Sequence, residues 1–219
     1  MNELAHDDLA RRFLPSNRHY WYVRCKLASD PLYADVAAAL LGTTQPLLDL
    51  GCGIGLLAHT LRARGFLPTY CGIDNDAAKI AAACAAGTDA KLIDVQFDCI
   101  DLARAALPQH RGSVALLDVL QFLPRDAAVD LIERVAARIT PEARLVIRTG
   151  LQQQGARMGL TRAVDWVART ARWMNTAAHW YPMREELIAR LRACGLQANF
   201  APTRGWLPLN NWLIVATRA

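Results

Sequence analysis

The sequence predicts an α/β protein, a three-layer α/β/α sandwich built on a seven-stranded, mostly parallel sheet. Apolar runs of strand length alternate with helical patterns over residues 46–150. These runs are continuous rather than broken by polar residues, which is typical of parallel strands that helices cover on both faces. Two more strand patterns lie near the C-terminal end. At 219 residues, the chain has room for one domain of this kind.

The first half of the pattern contains five strands and four helices. The predicted strands cover residues 46–50, 69–74, 95–100, 113–120 and 143–149, and the predicted helices cover 54–65, 76–87, 102–108 and 125–139. Gly65 and Gly87 are expected to end the first two helices, because glycine commonly follows the last helical residue.

The pattern changes after Gly150. Residues 157–175 predict an inserted helix with an apolar stripe on one side and arginines on the other. A helix over 184–195 and strands over 196–204 and 210–218 follow, the two strands being joined by a Gly/Pro turn. We therefore expect one domain over 1–219, made of an N-terminal helical arm and first helix (1–45), a first half (46–150) and a second half that contains the insertion (151–219).

Composition narrows the function classes. A hydrophobic content of 53% and a charged content of 21% indicate a globular chain rather than a disordered one. We expect a cytoplasmic protein, because no stretch is apolar enough to cross a bilayer and the start, "MNELAHDDLARR", is unlike a signal peptide. The six cysteines form no CxxC pair and no His/Cys ligand spacing, so neither a disulfide framework nor a metal site is predicted.

Charge is distributed unevenly along the chain. Residues 1–143 hold 14 Lys and Arg against 17 Asp and Glu, whereas residues 144–219 hold 11 against 3. A basic C-terminal third, including the arginine face of helix 157–175, fits an acidic acyl carrier protein, a membrane surface or an anionic substrate. The alternative is that these arginines are only solvated.

The segment "LLDLGCGIG" places three glycines within five positions, directly after the first strand. A strand that runs through glycines into a helix offers bare backbone and a helix N-terminus to a ligand. Leu56 stands where the dinucleotide motif GxGxxG has its third glycine, and the GK[ST] of a P-loop is absent. Asp49 would repel a pyrophosphate by about 1 to 4 kcal/mol. The same carboxylate would favour S-adenosylmethionine, which carries a sulfonium and an ammonium.

This segment resembles the first motif of the class I S-adenosylmethionine-dependent methyltransferases, an acidic residue, any residue and then GxGxG. The segments "CGIDND", "VQFDCIDL" and "LLDVLQFLP" resemble the next three motifs, in the same order along the chain. The resemblance covers residues 47–150 and, by topology, the final two strands. It implies a Rossmann-like sheet whose last strand is antiparallel, S-adenosylmethionine as the cofactor, and S-adenosylhomocysteine as the product.

The resemblance also implies how the cofactor's sugar and base are held. The family's acidic residue at the end of the second strand accepts hydrogen bonds from both ribose hydroxyls, a role that falls to Asp74, beside Asn75. An acidic residue after the third strand meets the adenine amino group. Asp101, with Leu102 beside it, matches that position, and Asp98 is its rival because the loop length is uncertain.

The fourth motif implies that Asp118 ends its strand beside the methyl donor. The other residues expected at the cofactor are Arg24, Lys26, Asp49, Gly51, Cys52, Gly53 and Gly55. Structural alternatives exist for these residues: Asp49 could be a turn carboxylate, the glycines could form only a tight turn, and Asp74 could cap the helix that follows.

Acceptor residues are expected on an N-terminal arm. His19, Tyr20, Trp21 and Tyr22 are consecutive and could form an aromatic lid over the donor methyl group and a flat acceptor. The alternative is a helix that packs its aromatic side chains on the sheet. His19 is the first candidate base and His179 the second, both also placed near the acceptor. Gln121 stands where many small-molecule relatives carry a histidine, and Phe122 follows it.

We therefore predict an enzyme that methylates a small aromatic or lipophilic molecule. The fourth motif lacks the [DNS]PP[YFW] of amino-methylating DNA enzymes, and "RTGLQQQG" lacks the acidic metal ligand of catechol enzymes. "YVRCKLASDPLY" and "PLNNWLIVATR" resemble small methyltransferases of bacterial aryl-polyene and xanthomonadin-type pigment pathways, which implies an aromatic acceptor, either free or tethered to a carrier protein. The alternatives are an RNA or protein methyltransferase and a non-catalytic cofactor-binding module. Nucleic acid is the less favoured partner.

Overall fold

A computed structural model describes residues 3–102, 105–152, 180–203 and 210–218. The strands are β1 (Leu47–Leu50), β2 (Tyr70–Asp74), β3 (Val95–Cys99), β4 (Ser113–Leu117), β5 (Leu145–Gly150), β6 (Leu196–Pro202) and β7 (Asn211–Arg218). The α-helices are α1 (Glu3–Arg11), α2 (Asn17–Ser29), α3 (Leu32–Leu40), α4 (Leu56–Ala63), α5 (Ala77–Asp89), α6 (Arg125–Ala136) and α7 (Arg184–Ala193). A short 3₁₀ helix, Leu120–Phe122, follows β4.

The strands form one seven-stranded sheet in the order β3-β2-β1-β4-β5-β7-β6. Strands β1 to β5 are mutually parallel, and β7 runs antiparallel to both of its neighbours, β5 and β6. The predicted α/β fold with an antiparallel last strand is therefore confirmed. The order reverses between β1 and β4, and the carboxyl ends of these strands flank the crevice where open α/β sheets bind ligands.

Each face of the sheet is buried under helices. Side chains of β1 alternate between the two faces: Leu47 packs with α3 and α4, and Leu48 packs with α6 and α7. Both faces are apolar, which explains why all four residues of β1 are buried and why the strand shows no polar alternation.

The N-terminal arm consists of α1 and α2. Ser16 caps α2 by accepting a hydrogen bond from the His19 amide, at 3.3 Å. Apolar side chains of the arm, including Phe13, Val23 and Leu27, form a cluster with Ile54, which lies in the glycine segment after β1. The arm is therefore packed directly against the loop that the sequence assigns to the cofactor.

Two local predictions are wrong. Helix α5 continues through Gly87 to Asp89, because Gly87 keeps a helical conformation and Lys91, at φ +52°, is the first residue with a positive φ. Gly65, at φ +79°, does follow the end of α4, as expected. Of the helix predicted over 102–108, residues 105–108 are not helical. The predicted helix 157–175 and the turn before β7 lie outside the described residues.

Candidate active site

The glycine segment after β1 has left-handed backbone at each glycine. Gly51, Gly53 and Gly55 have φ values of +83°, +57° and +79°. A Cβ on Gly51 would lie 2.5 Å from Val119, and a Cβ on Gly55 would lie 2.7 Å from the Phe97 ring. Nothing lies within 4 Å of the Cβ position of Gly53. Gly51 and Gly55 thus permit close packing, whereas Gly53 borders open space that a ligand can use.

Asp49 is a buried carboxyl group with no cation beside it among the residues that the structure describes. Its side chain is 2% exposed, and the Tyr70 hydroxyl donates a 2.5 Å hydrogen bond to Oδ2. Oδ1 is buried with no hydrogen-bond partner among the described residues. Burial raises the pKa of Asp49 to about 7, and the Tyr70 hydrogen bond opposes that rise. A cationic ligand would supply the charge that this site lacks, so these residues fit the ammonium-bearing end of S-adenosylmethionine.

Asp74 ends β2, as predicted, and is 8% exposed. Its Oδ2 accepts a hydrogen bond from the Gly53 amide at 2.9 Å, and Oδ1 accepts one from the Asp76 amide at 3.0 Å. The helix α5 is capped by Asp76, which accepts from Ala78 and Lys79. Asp74 therefore connects the end of β2 to the glycine segment, and the capping role belongs to its neighbour. Asn75 is exposed beside it.

The two rivals for the adenine position lie at different places relative to β3. Asp98 is within the strand, paired in register with Ile73, and accepts a 2.8 Å hydrogen bond from Gln96. Asp101 follows the strand end, where the Ile100 amide donates to the carbonyl of Asp74. Asp101 and Leu102 are both half-buried. This placement brings Asp101 to the edge of the sheet that carries Asp74 and favours it over Asp98.

Asp118 lies directly after β4, with φ +58°. Its carboxylate forms an ion pair with Arg148 of β5, and its amide donates to the Arg148 carbonyl at 2.8 Å. Arg148 also pairs with Asp30 at 3.0 Å, and Lys26 pairs with the same Asp30 oxygen at 2.7 Å. These four side chains, Lys26, Asp30, Arg148 and Asp118, are named here the charged quartet. The Asp118 side chain is 30% exposed, so it still borders the crevice.

Arg24 and Lys26, which the sequence assigns to the donor's carboxylate, both have carboxylate partners within the chain. Arg24 lies 3.6 Å from Asp7 of α1, and Lys26 belongs to the charged quartet. Their role at the cofactor stays a prediction.

Gln121 and Phe122 lie in the 3₁₀ helix after Asp118. Gln121 is 6% exposed, and its Oε1 accepts a 3.2 Å hydrogen bond from the Thr149 hydroxyl. Phe122 is half-buried. Two residues at the end of β5 therefore bind two residues of the fourth motif: Arg148 binds Asp118, and Thr149 binds Gln121.

The four aromatic residues of the arm spread around α2, because consecutive residues of an α-helix are about 100° apart. The Tyr20 and Trp21 rings nevertheless contact each other edge to face, with centroids 5.1 Å apart. The Tyr20 hydroxyl donates to Asp7 at 2.7 Å, and Trp21 is 60% exposed. Tyr22 and His19 are half-buried, and burial together with Arg18 lowers the pKa of His19. A lid made of all four rings is not present; each ring's role at the acceptor stays a prediction. His179 lies outside the described residues.

Three residues of the site, Tyr70, Asp30 and Arg148, were not predicted from the sequence. Arg148 had a usable signal, since a charged residue inside the apolar run "ARLVIRTG" predicts a buried ion pair.

Cys52, expected at the cofactor, is buried against Gly72 of β2. A Cβ added to Gly72 would lie 2.9 Å from the Cys52 sulfur, and burial raises the pKa of the Cys52 thiol.

Residues 47–142 match a family model described as a methyltransferase domain. This match confirms the predicted enzyme class, and solved structures of the same fold with bound SAM and SAH bear out the predicted cofactor. Comparison with curated protein sequences found no match.

Similar solved structures include three methyltransferases. Magnesium protoporphyrin IX methyltransferase (ChlM) from Synechocystis PCC 6803, with bound SAH, is 21% identical with a TM-score of 0.68, covering 97% of this chain and 94% of that one. The mitomycin 7-O-methyltransferase MmcR is 19% identical (TM-score 0.69; 97% and 60% covered). An O-methyltransferase family protein from Burkholderia thailandensis is 18% identical (0.68; 100% and 65%). At these identities the likeness is one of fold, and the chain spans less than two thirds of the last two proteins.

Within the described ranges, no helix combines the length and hydropathy needed to cross a membrane. In the same part of the chain, no three His, Cys, Asp or Glu side chains come together as a metal site requires.

Proposed function

We propose that this chain transfers a methyl group from S-adenosylmethionine to a small aromatic or lipophilic acceptor. The observation that carries the proposal is the buried carboxyl of Asp49, which has an unpartnered oxygen beside a glycine segment with open space at Gly53. A nucleoside that carries positive charge fits this combination, and a phosphate-bearing one would be repelled by it.

In this proposal, Asp49 faces the cationic end of the cofactor, Asp74 accepts from its ribose hydroxyls, and Asp101 with Leu102 borders its adenine. The hydrogen bond from the Gly53 amide to Asp74 keeps the glycine segment and the end of β2 in a fixed relation. When bound, S-adenosylmethionine supplies a methyl group that is already activated. The chain therefore has mainly to orient the acceptor and exclude water.

The acceptor would lie next to Asp118, Gln121 and Phe122. The Asp118 carboxylate is engaged in its ion pair with Arg148, so we do not assign the base to it. His19 is the better candidate, since its lowered pKa keeps the imidazole neutral near pH 7. A base is needed only if the acceptor loses a proton.

Three narrower ideas extend the proposal. The resemblance to pigment-pathway methyltransferases supports an aromatic acceptor. A carrier protein or a membrane surface would bind the arginine face of helix 157–175, which lies outside the described residues. The cytoplasmic location stays a prediction.

The O-methyltransferases among the similar structures support a small acceptor, because MmcR and the Burkholderia thailandensis protein carry that activity in their names.

The direct test incubates the purified chain with methyl-labelled S-adenosylmethionine and an extract of the host. We expect the label in a small, extractable product. Label in RNA or protein would instead support the alternative with a macromolecular acceptor. Cofactor binding by calorimetry without any transfer of label would support a non-catalytic binding module.

A matched pair of glycine variants tests the cofactor site itself. Gly53 and Gly42 both have positive φ, +57° and +85°, and both have empty space at the Cβ position. Gly53→Val and Gly42→Val should therefore lose similar stability, but only Gly53→Val should abolish S-adenosylmethionine binding. Equal affinity in the two variants would place the cofactor elsewhere.

A further inference from the structure

Arg148 is a buried cation that joins two distant parts of the chain. Its side chain is 5% exposed, and its partners Asp30 and Asp118 are 118 and 30 residues away in sequence. Although burial opposes it, the two carboxylates raise the pKa of Arg148. With Lys26 also bound to Asp30, the charged quartet holds two cations and two anions and is neutral. A buried pair of this kind adds little stability over apolar residues, so what it fixes is geometry.

On one side, Arg148 fixes the conformation of Asp118. A left-handed φ is uncommon for a residue with a side chain, and here the backbone amide and the carboxylate of Asp118 both bind Arg148. The next residue, Val119, packs closely on Gly51. A Cβ added to Gly51 would lie 2.5 Å from Cγ2 of Val119. The position of Val119 against the glycine segment therefore follows from the Asp118 conformation.

On the other side, Arg148 holds the end of the arm. Asp30 follows the last residue of α2 and accepts hydrogen bonds from Lys26 at 2.7 Å and from the Leu32 amide at 3.0 Å. Burial opposes ionisation of Asp30, but Lys26 and Arg148 hold its pKa below the usual range. Upstream in α2, Val23 and Leu27 pack with Ile54 of the glycine segment.

We propose that Arg148 is a positioning residue for methyl transfer, which acts through Asp118 and Asp30 so that the glycine segment and the arm α2 respond together to the bound cofactor. This inference rests on the proposed function. It predicts that a ligand in the glycine crevice stabilises α2, although the arm and Arg148 are far apart in sequence.

The test compares hydrogen exchange of the α2 amides with and without S-adenosylhomocysteine, in the wild type and in Asp30→Asn. Asp30→Asn removes the charge that both Arg148 and Lys26 bind at the end of the arm, and it leaves the Arg148–Asp118 pair in place. In the wild type, we expect the ligand to slow exchange over residues 23–29. In Asp30→Asn, we expect this added protection to fall about tenfold, the size of a typical coupling between sites.

A second comparison uses Arg148→Lys and Arg148→Gln, measuring label transfer into the host extract at saturating S-adenosylmethionine. We expect Lys, which keeps the charge, to recover part of the transfer rate that Gln loses. If the glutamine variant does not fold, the Asp30→Asn exchange experiment decides alone. Asp130→Asn is the control, because Asp130 forms a surface pair with Arg134 on α6 and is 61% exposed.

Unchanged protection of α2 in Asp30→Asn would overturn the inference while leaving the proposed function intact. Equal transfer rates for the lysine and glutamine variants would do the same. Failure of the wild-type chain to bind S-adenosylhomocysteine would overturn the proposed function as well, so the two failures are distinguishable.

Discussion

Asp49 and Asp30 are two nearly buried carboxyl groups near the same crevice, but their electrostatic surroundings are opposite. Asp30 has Lys26 and Arg148 within ion-pair distance, and its pKa is lowered. Within the described part of the chain, the partner of Asp49 is the neutral Tyr70 hydroxyl, and burial raises the pKa of Asp49 to about 7. The difference separates a charge that the fold has already compensated from one that a ligand must compensate. The first serves the architecture, and the second marks the binding site.

The largest effect is expected from removing the compensating cation. Arg148→Gln leaves Asp30 and Asp118 without their shared partner, so the free energy of unfolding should fall by about 3 kcal/mol. Chemical denaturation measures this. The control Asp130→Asn should change the free energy of unfolding by less than about 0.5 kcal/mol, because surface pairs contribute little. If Arg148→Gln lowered the free energy of unfolding by no more than the control does, the distinction between the Asp30 and Asp49 sites would be lost.

The next effect comes from Asp49→Asn, which should act in the opposite direction on stability. Since the folded-state pKa of Asp49 is about 7 against an ordinary 3.8, its contribution to stability is lost as the pH rises from about 4 to 7. Asparagine cannot ionise, so at pH 8 the variant should be more stable than the wild type. It should also bind S-adenosylmethionine more weakly, by about 1.5–3 kcal/mol, because a charged partner is gone.

Titration calorimetry of Asp49→Asn with S-adenosylmethionine, together with denaturation at pH 5 and pH 8, checks both effects. A variant that is less stable than the wild type at pH 8 but binds the cofactor normally would show that Asp49 is structural, like Asp30.

The pH dependence of cofactor affinity should sharpen the contrast further. A cation favours the ionised form of Asp49, so binding should release a proton and tighten with pH. With a pKa of about 7 in the free chain, the association constant should rise about tenfold from pH 6 to pH 8. The rise that Asp49 causes should be absent in Asp49→Asn, which serves as the control for titration of the ligand itself. An identical pH profile in both proteins would contradict the assignment.

The smallest effect is expected from Tyr70→Phe. The Tyr70 hydroxyl donates to the carboxyl of Asp49 and favours its charged form. Removing it should move the midpoint of the affinity profile upward by about half a pH unit to one unit. The same titrations measure this shift, and a downward shift would mean that the hydroxyl stabilises the neutral carboxyl instead.

What the sequence could predict was set by local pattern. The glycine segment, Asp74 at the end of β2 and the apolar strands all follow from residues that are adjacent in the chain. The length of a connection or helix was less predictable, since α5 passes through Gly87 and takes its left-handed turn at Lys91. A helical pattern does not show whether the chain adopts positive φ at Gly87 or four residues later at Lys91.

The charged quartet could not be predicted from pattern, because it depends on the packing of α2 against the ends of β4 and β5. The apolar run around Arg148 indicates a buried ion pair, but it does not show that one partner is Asp30, 118 residues earlier. The Asp49–Tyr70 pair would have been easier to predict, since β1 and β2 are parallel neighbours with Leu47 opposite Tyr70. For the four aromatic residues of the arm, helical geometry alone excludes a common direction, and the sequence already contained that information.

The contact between Arg148 and Asp30 also sets an order of events when the chain is made. The N-terminal arm leaves the ribosome first, yet the cation that holds its end is synthesised 118 residues later. Until β5 has joined the sheet, the arm has its apolar contacts with Ile54 but lacks this ion pair. The contact that fixes the end of the arm can therefore form only after most of the sheet has been synthesised.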